Sequence, residues 1–517
     1  MKKRILSLIM ALCLIALSCA VCTITASAAE NGTCGNSLNW VLDEEGTLTI
    51  SGEGDMDDWK SHLYVPWTYL DVKNIVVNEG VTSIGNYAFS YCINAQSVTI
   101  SGTVTSIGTL SFNKCSGLSE IVIPDSVRSI SSDTFDGCTG LTKITVGVGN
   151  ERYMTDEYGI LYNKEKTSLY KYPSASANKE CILPSSLDNI HKNAFELCKN
   201  LESVKVEEGG WYYSSDTDGI VYNKNKDTLI MYPMGKKTEE YTVSDSVKTI
   251  AANAFANGEN LKRLVIPEGI TTIKERAFEN NTGLESVKFP QSLTTIENVA
   301  FGNCTAIKAI ELPDNLTTVG QGVFSGCSGI KSATLPKNMT SVNATMFKEC
   351  TSLESIVIPD GVTSIGVNAF YNCKKLKSIT LPNSLKEISQ FCFQYCNSLT
   401  KVKYYGTSQE WQNSLYIDQG NNPLKNASRE YAKFTKTTLG SDGKTYIVVT
   451  VNVPREKMVI MAFYKDGKLV DYDCDYDAYS DYKVYLKTNK EFDTAKVFVW
   501  DELENLTSLS ETEYVYK

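Results

Sequence analysis

Histidine is almost missing: 517 residues hold only His62 and His191. Two lone imidazoles exclude a zincin motif and a paired-histidine metal site, and a Ser/His/acid triad would have to form around one of them. An excess of basic charge is missing too. Lys and Arg number 50 against 60 Asp and Glu, a formal net charge of −10, whereas nucleic-acid binding wants a basic face. No Walker or dinucleotide fingerprint occurs. Beyond the N-terminal segment no run of about 18 apolar residues remains, so no further membrane span is expected. Carboxylate pairs do occur, but among 60 acids they arise by chance. No catalytic residue, cofactor or metal ligand is assigned, and the chain reads as non-catalytic.

What is present is a repeat. Phe255, Phe278, Phe301, Phe324, Phe347, Phe370 and Phe393 follow one another at intervals of 23 residues, and Phe89, Phe112, Phe135 and Phe195 extend the series to eleven. A period of this size marks a solenoid. Aliphatic residues stand eight and five before each ring, as Val362 and Ile365 do for Phe370, with Leu376 six after it and Ile379 and Leu381 nine and eleven after. That last pair has strand spacing. Proline follows it at seven rungs, Pro267 and Pro290 among them, where a missing N–H ends a strand. The Ala-Phe-x-x-Cys stretch reads as a helical turn. The expected fold is a leucine-rich-repeat solenoid, each 23-residue rung a β-strand plus a short helical turn, with the phenylalanines stacked in the core. A single rung cannot bury its apolar face alone, so stability must come from stacking.

The Ile-Pro, Val-x-x-Ile, Ala-Phe-x-x-Cys and Leu-x-x-Ile elements resemble those of the BspA-like bacterial leucine-rich-repeat surface proteins, over about residues 75–404. The resemblance implies a curved solenoid displayed outside the cell, in a family associated with adhesion to host or bacterial surfaces. Departures are scattered: Ala95 replaces the leucine, Gly258 and Asn281 the cysteine, and Cys392 the alanine.

Residues 1–29 read as a secretion signal, with Lys2, Lys3 and Arg4 before an apolar run and Ala26-Ser27-Ala28 at a cleavage site. Residues 30–74 read as an N-terminal cap, built on a hairpin around Asp43–Gly46. The solenoid covers 75–404 and a terminal cap 405–435. From 436 to 517 alternating segments predict a small β-sandwich. Its run Asp471-Tyr-Asp473-Cys-Asp475-Tyr-Asp477 fails the EF-hand pattern, and the acidic stretch Glu53–Asp58 reads as a solvated turn.

Two interruptions break the count, since Phe135 to Phe195 and Phe195 to Phe255 each span 60 residues. The added segments, about 147–183 and 207–243, match each other (Gly159-Ile-Leu-Tyr-Asn-Lys164 and Gly219-Ile-Val-Tyr-Asn-Lys224) and read as hairpins leaving one edge of the solenoid. Both are aromatic, and aromatic clusters stack on sugars or anchor protein partners, although the same rings would also serve to pack the hairpins. Tyr153, Tyr162, Trp211, Tyr213 and Tyr222 form the candidate ligand patch. His191 lies at a variable rung position, where a surface histidine is expected. Nine cysteines sit three after a repeat phenylalanine, each facing two equivalent neighbours. They are expected to be buried thiols rather than a disulfide framework. The functional expectation is a secreted or cell-surface protein that binds an extracellular protein or glycan. The alternative is a passive surface spacer or scaffold, or else the binding module of an extracellular enzyme system.

Overall fold

The computed structural model describes residues 30–431 and, beyond them, the backbone of seven strands between Lys433 and Tyr514. The secretion signal expected at 1–29 lies outside the described residues. The chain divides into two units: Met1–Ser176 with Asn189–Leu197, and Ala177–Asp188 with Cys198–Lys517. Both contain leucine-rich-repeat solenoid, and each has its own apolar core.

The second unit shows a rung most plainly. Strand Ser355–Val357 pairs in parallel with Ser378–Leu381, so Ile356 meets Ile379 one repeat on. Both isoleucines are buried while Ser355 and Val357 face out, because successive strand residues point to opposite faces. A second short strand, Ser364–Ile365, pairs in parallel with Glu387–Ile388. Between these ladders the phenylalanines stack, Phe278 on Phe301 at 4.8 Å and Phe301 on Phe324 at 5.7 Å, with planes 7° and 23° apart. The first unit repeats this with Phe89, Phe112 and Phe135.

The expected helical turn is not there. The residues two before and two after the phenylalanines, Asp133 excepted, have positive φ, for example Asn368 at 56° and Asn372 at 61° around Phe370. Amides at −2, 0 and +2 donate to the next rung: Asn368 N to Gln390 O at 3.1 Å, Phe370 N to Cys392 O at 3.0 Å and Asn372 N to Gln394 O at 2.8 Å. The amides between them close tight turns, Ala369 to Gly366 and Tyr371 to Asn368. A helix would aim every N–H back along its own axis and leave the rung edge unpaired. Alternating left-handed residues instead turn every second donor toward the neighbour. Each such residue costs about 1–2 kcal/mol unless it is glycine or asparagine, and Asn193, Asn253, Asn257, Asn280, Asn303, Asn368 and Asn372 occupy seven of these places. Glu349, at φ 62°, has no such relief. Glu349→Gly is expected to raise unfolding stability by about 0.5–1 kcal/mol and Glu349→Val to lower it, read from denaturant midpoints. A valine variant as stable as the glycine one would contradict the strain argument.

The described cysteines are all free and buried. The column thiols donate to the phenylalanine carbonyl one rung earlier: Cys304 to Phe278, Cys327 to Phe301, Cys350 to Phe324, Cys373 to Phe347 and Cys396 to Phe370, at 3.0–3.2 Å. Burial pushes the Cys92 and Cys138 thiols up to about 12, so they are inert donors rather than nucleophiles. One of the two exceptions obeys the same rule. Asn281 donates its side-chain amide to Phe255 O in the cysteine's place, and a Cβ on Gly258 would lie 2.5 Å from Asn281 Oδ1. The larger donor fits only because its neighbour has no side chain. Gly258→Cys alone should cost about 1–3 kcal/mol. Combined with Asn281→Cys it should regain most of this, a coupling above about 1 kcal/mol in a double-mutant cycle. Additive losses would refute the pairing.

The caps continue the ladders. Strands Glu30–Gly35, Leu38–Leu42 and Thr47–Gly52 are antiparallel, and the third pairs in parallel with Asn74–Val77. Trp67 is buried, stacks on Phe89 at 5.9 Å and donates its indole N–H to Ala88 O at 2.8 Å. It thus begins the aromatic column. At the other end helix Ser408–Asn413 opens with a Thr407/Glu410 capping box. Strand Ser428–Tyr431 extends the ladder from Lys401–Tyr404, and Asn421 Oδ1 accepts Phe393 N–H at 2.9 Å. Beyond lie two antiparallel sheets, of three and four strands. The run from Asp471 to Asp477 falls on strand Lys468–Ala478 of the larger one.

Each insertion has three strands rather than the two of a hairpin. In the first, Tyr153–Thr155, Leu161–Asn163 and Ser168–Lys171 form an antiparallel meander, and its last strand enters the parallel ladder beside Asn189–Ile190. Tyr172 then makes the phenylalanine's bond, N–H to Ala194 O at 2.9 Å, and stacks on Phe195 at 5.6 Å. In the second, Thr228–Met231 pairs with Thr249–Ile250, while Tyr232 bonds Ala254 O at 2.7 Å and stacks on Phe255 at 4.9 Å. Each insertion is therefore a hairpin plus a shortened rung, with tyrosine in the aromatic column.

Candidate functional site

Three of the five candidate aromatic residues are interior. Tyr153 is 6 % exposed; its hydroxyl accepts from Ile130 N at 2.9 Å and its ring meets Tyr170 edge-on at 5.4 Å. Tyr162 is fully buried. Tyr222 is 3 % exposed, and its hydroxyl lies 3.0 Å from Asp216 Oδ2 and 3.2 Å from Tyr241 Oη. Burial raises the Tyr222 phenol well above its ordinary value, so it stays a neutral donor. These rings hold the meanders to the rungs beneath, because a three-stranded sheet on a solenoid edge has one face to bury.

Tyr213 is half-buried, its hydroxyl donating to Asp188 O at 3.3 Å. Trp211 is 82 % exposed, and the adjacent Tyr212, outside the candidate set, 58 %. Their backbone is held from behind: Lys224 donates its amide to Tyr212 O at 2.8 Å and its ammonium to Gly210 O at 2.6 Å. At the same positions in the first insertion stand Glu151 and Arg152. The two insertions thus share a buried frame and differ in what they show to solvent.

A second exposed aromatic group, in the first unit, escaped the sequence reading. Leu63, Tyr64 and Tyr69 of the N-terminal cap are 57, 69 and 86 % exposed. Nearby, His62 stacks on Tyr91 at 4.0 Å, and Lys114 Nζ lies 2.8 Å from the Tyr91 hydroxyl. The signal was available: Trp59, Tyr64, Trp67 and Tyr69 crowd eleven residues that carry no strand alternation. Asp71, Lys73, Asn94, Gln96 and Ser119 line a groove of about 620 Å³ in the same unit, but Asn94 and Lys73 already partner Asp71.

Several charges of the strand ladder pair with one another. In the second unit Lys205 meets Glu180, Lys262 meets Glu239, Arg263 meets Glu240, and Lys377 meets Glu354, each across one rung. Thr294 and Thr317 hydroxyls donate to Thr271 O and Thr294 O on the rung before. Among the described residues no group of three His, Cys, Asp or Glu is placed to hold a metal, and no helix is long and apolar enough to cross a membrane.

One polar cluster is built around a buried lysine. Beside the first meander, Lys171 is 2 % exposed; its ammonium donates to Asn193 O at 3.2 Å and lies 4.0 Å from Glu196 Oε2. Asn193 Nδ2 donates to Asp136 Oδ2 at 2.8 Å, and Glu196 Oε2 accepts from Gly137 N at 3.0 Å. Burial pushes the Asp136 carboxyl up to about 6, against the opposing pull of Asn193 and Lys171.

The BspA type leucine rich repeat region matches the chain in six copies, over residues 67–157, 165–216, 234–353 and 340–421. The chain belongs to the BspA-type leucine-rich-repeat family. Among solved structures, this BspA-type chain is similar to a leucine-rich repeat protein from Eubacterium ventriosum, with 26% identity and a TM-score of 0.45 over 76% of this chain and 95% of that one. The pneumococcal vaccine antigen PcpA shares 20% identity, with a TM-score of 0.42 over 78% and 99%. A leucine rich cell surface protein from Faecalibacterium prausnitzii shares 21%, with a TM-score of 0.37 over 77% and 100%. No curated protein matches the sequence. BspA-type repeat proteins are typically found at the cell surface, and the family's repeat proteins have no known catalytic function.

The Asp136 carboxyl carries a signed pH dependence. Its folded value lies above its unfolded one, so the stability it contributes is present below about pH 4 and is lost as pH rises through about 6. Asp136→Asn should flatten the stability curve there by up to about 3 kcal/mol. Parallel wild-type and variant curves from pH 4 to pH 7, by denaturant unfolding, would show the burial to be inconsequential.

Proposed function

We propose that this BspA-type protein is secreted through its N-terminal segment and acts outside the cell as a non-catalytic binding protein for a protein or glycan ligand. Its C-terminal sheets pack as a sandwich module in this reading. The observation that carries it is the pair Trp211 and Tyr212, exposed by 82 and 58 % on a backbone held rigid from behind. Large exposed rings with few rotatable bonds gain contact area on binding at little conformational cost. Of the five-residue patch, Trp211 and Tyr213 remain as contacts, joined by Tyr212, while Tyr153, Tyr162 and Tyr222 serve as its frame.

The spacer alternative has its own support in the strand face, where several charges are already paired across rungs. One experiment separates the two. The full chain is screened for saturable binding to glycans and extracellular matrix proteins, then the Trp211→Ala/Tyr212→Ala variant is titrated against whatever binds. Binding weakened about tenfold or more supports the site. Unchanged affinity removes these residues from it, and no saturable binding favours the spacer.

A further inference from the structure

We propose that the first insertion is locked by an intramolecular amide bond, formed between Lys171 Nζ and the side-chain carbonyl carbon of Asn193 with Asp136 and Glu196 assisting. Four groups converge in one place, the lysine buried and the other three half-buried. The lysine amine is 2 % exposed and is anchored 3.2 Å from the main-chain oxygen of the very residue whose side chain it would attack. The attack requires Nζ to swing from the main-chain carbonyl of Asn193 to its side-chain carbonyl. Holding nucleophile and amide together in this way replaces a bimolecular encounter with a local motion. Asn193 has a positive φ of 65° and its amide nitrogen is tied to Asp136 Oδ2 at 2.8 Å, so the amide too is fixed.

The step balances without a cofactor. Glu196, 4.0 Å from the ammonium, takes a proton and frees the amine. The Nζ–Cγ bond forms, and Asp136 delivers its proton to Nδ2, the atom it already contacts. The Cγ–Nδ2 bond then breaks and ammonia leaves. Both hydrogens lost from the lysine nitrogen depart in the ammonium ion, so the two carboxyls end as they began. Burial keeps Asp136 protonated further toward neutral pH than an ordinary carboxyl, which suits a proton donor.

The second insertion is an internal control. It has the same meander and the same tyrosine in the aromatic column, yet Met231 and Ala256 stand where Lys171 and Glu196 stand in the first. The shortened rung therefore folds without these groups, and packing alone does not require a buried lysine there. The product would tie the strand Ser168–Lys171 to the turn of the following rung.

The test is peptide mass mapping of the full chain, unfolded before digestion. The expected result is a branched peptide joining Lys171 to Asn193, lighter by one ammonia, with no tryptic cleavage after Lys171. Lys171→Arg keeps the positive charge but cannot form the bond, so it should restore the full mass. Asp136→Ala should lower the linked fraction severalfold in protein whose circular dichroism is unchanged. Unlinked wild-type peptides at full mass would overturn the proposal. So would an ammonia loss that persists in Lys171→Arg, since that is the signature of succinimide formation at Asn193 alone.

Discussion

Stacking equivalent rungs brings each main-chain donor to the same acceptor on its neighbour, and the backbone around the phenylalanines is bent to use that. Asn368, Phe370 and Asn372 spend their amides on the following rung, and the left-handed residues either side of the ring are what turn those amides outward. The cysteine column answers the same geometry from the side chains, donating back to the phenylalanine carbonyls. Backbone and side-chain bonds thus run in opposite directions along one strip. A buried carbonyl without a donor costs about 1–3 kcal/mol, which explains why the position tolerates Asn281 but why Asn281 in turn demands glycine at 258.

The same translation governs the surface. A lysine or arginine on one strand finds a glutamate at the corresponding place on the next, as Lys262 and Glu239 or Lys377 and Glu354 do. Exposed pairs of this kind are each worth less than about 1 kcal/mol, so they add little stability. Their effect is to pair part of the charge on the regular strand face within the solenoid itself. Recognition is then best placed where the repeat is broken, at the insertions and the caps, and the widely exposed rings Tyr64, Tyr69 and Trp211 are found there.

Much of this fold is legible in the sequence because a period of 23 is a direct image of one turn of the solenoid. The Phe301–Phe324 stack and the Ile356–Ile379 pairing follow from spacing alone. The turn strip does not, because Ala-Phe-x-x-Cys has the apolar spacing of a helical turn and its distinguishing feature is the sign of φ two residues away from the ring. The frequent asparagines at those places were the available clue. The third strand of each insertion was hidden by compression: Leu169 precedes Tyr172 by three residues where a regular aliphatic precedes its phenylalanine by five, and the ring itself is changed. The candidate patch suffered from a different limit. Aromatic composition marks a segment but not a face, and the buried side of a small meander claims tyrosines before solvent does.

The two insertions separate frame from surface within one chain. Tyr172 and Tyr232, Leu169 and Leu229, and Asn193 and Asn253 hold matching places, and both meanders join the ladder through the same parallel pairing. Around that frame the residues diverge in opposite senses. The first has charged Glu151 and Arg152 outside and a buried Lys171 beside a half-buried Glu196; the second has Trp211 and Tyr212 outside and half-buried Met231 and Ala256 at the matching places. A half-buried apolar side chain such as Met231 needs no partner, whereas a buried ammonium is tolerated only with partners that meet its charge. Physical economy alone would favour the second arrangement at both places. The first is therefore the one that calls for a chemical role inside the fold, and the second for a role at its surface.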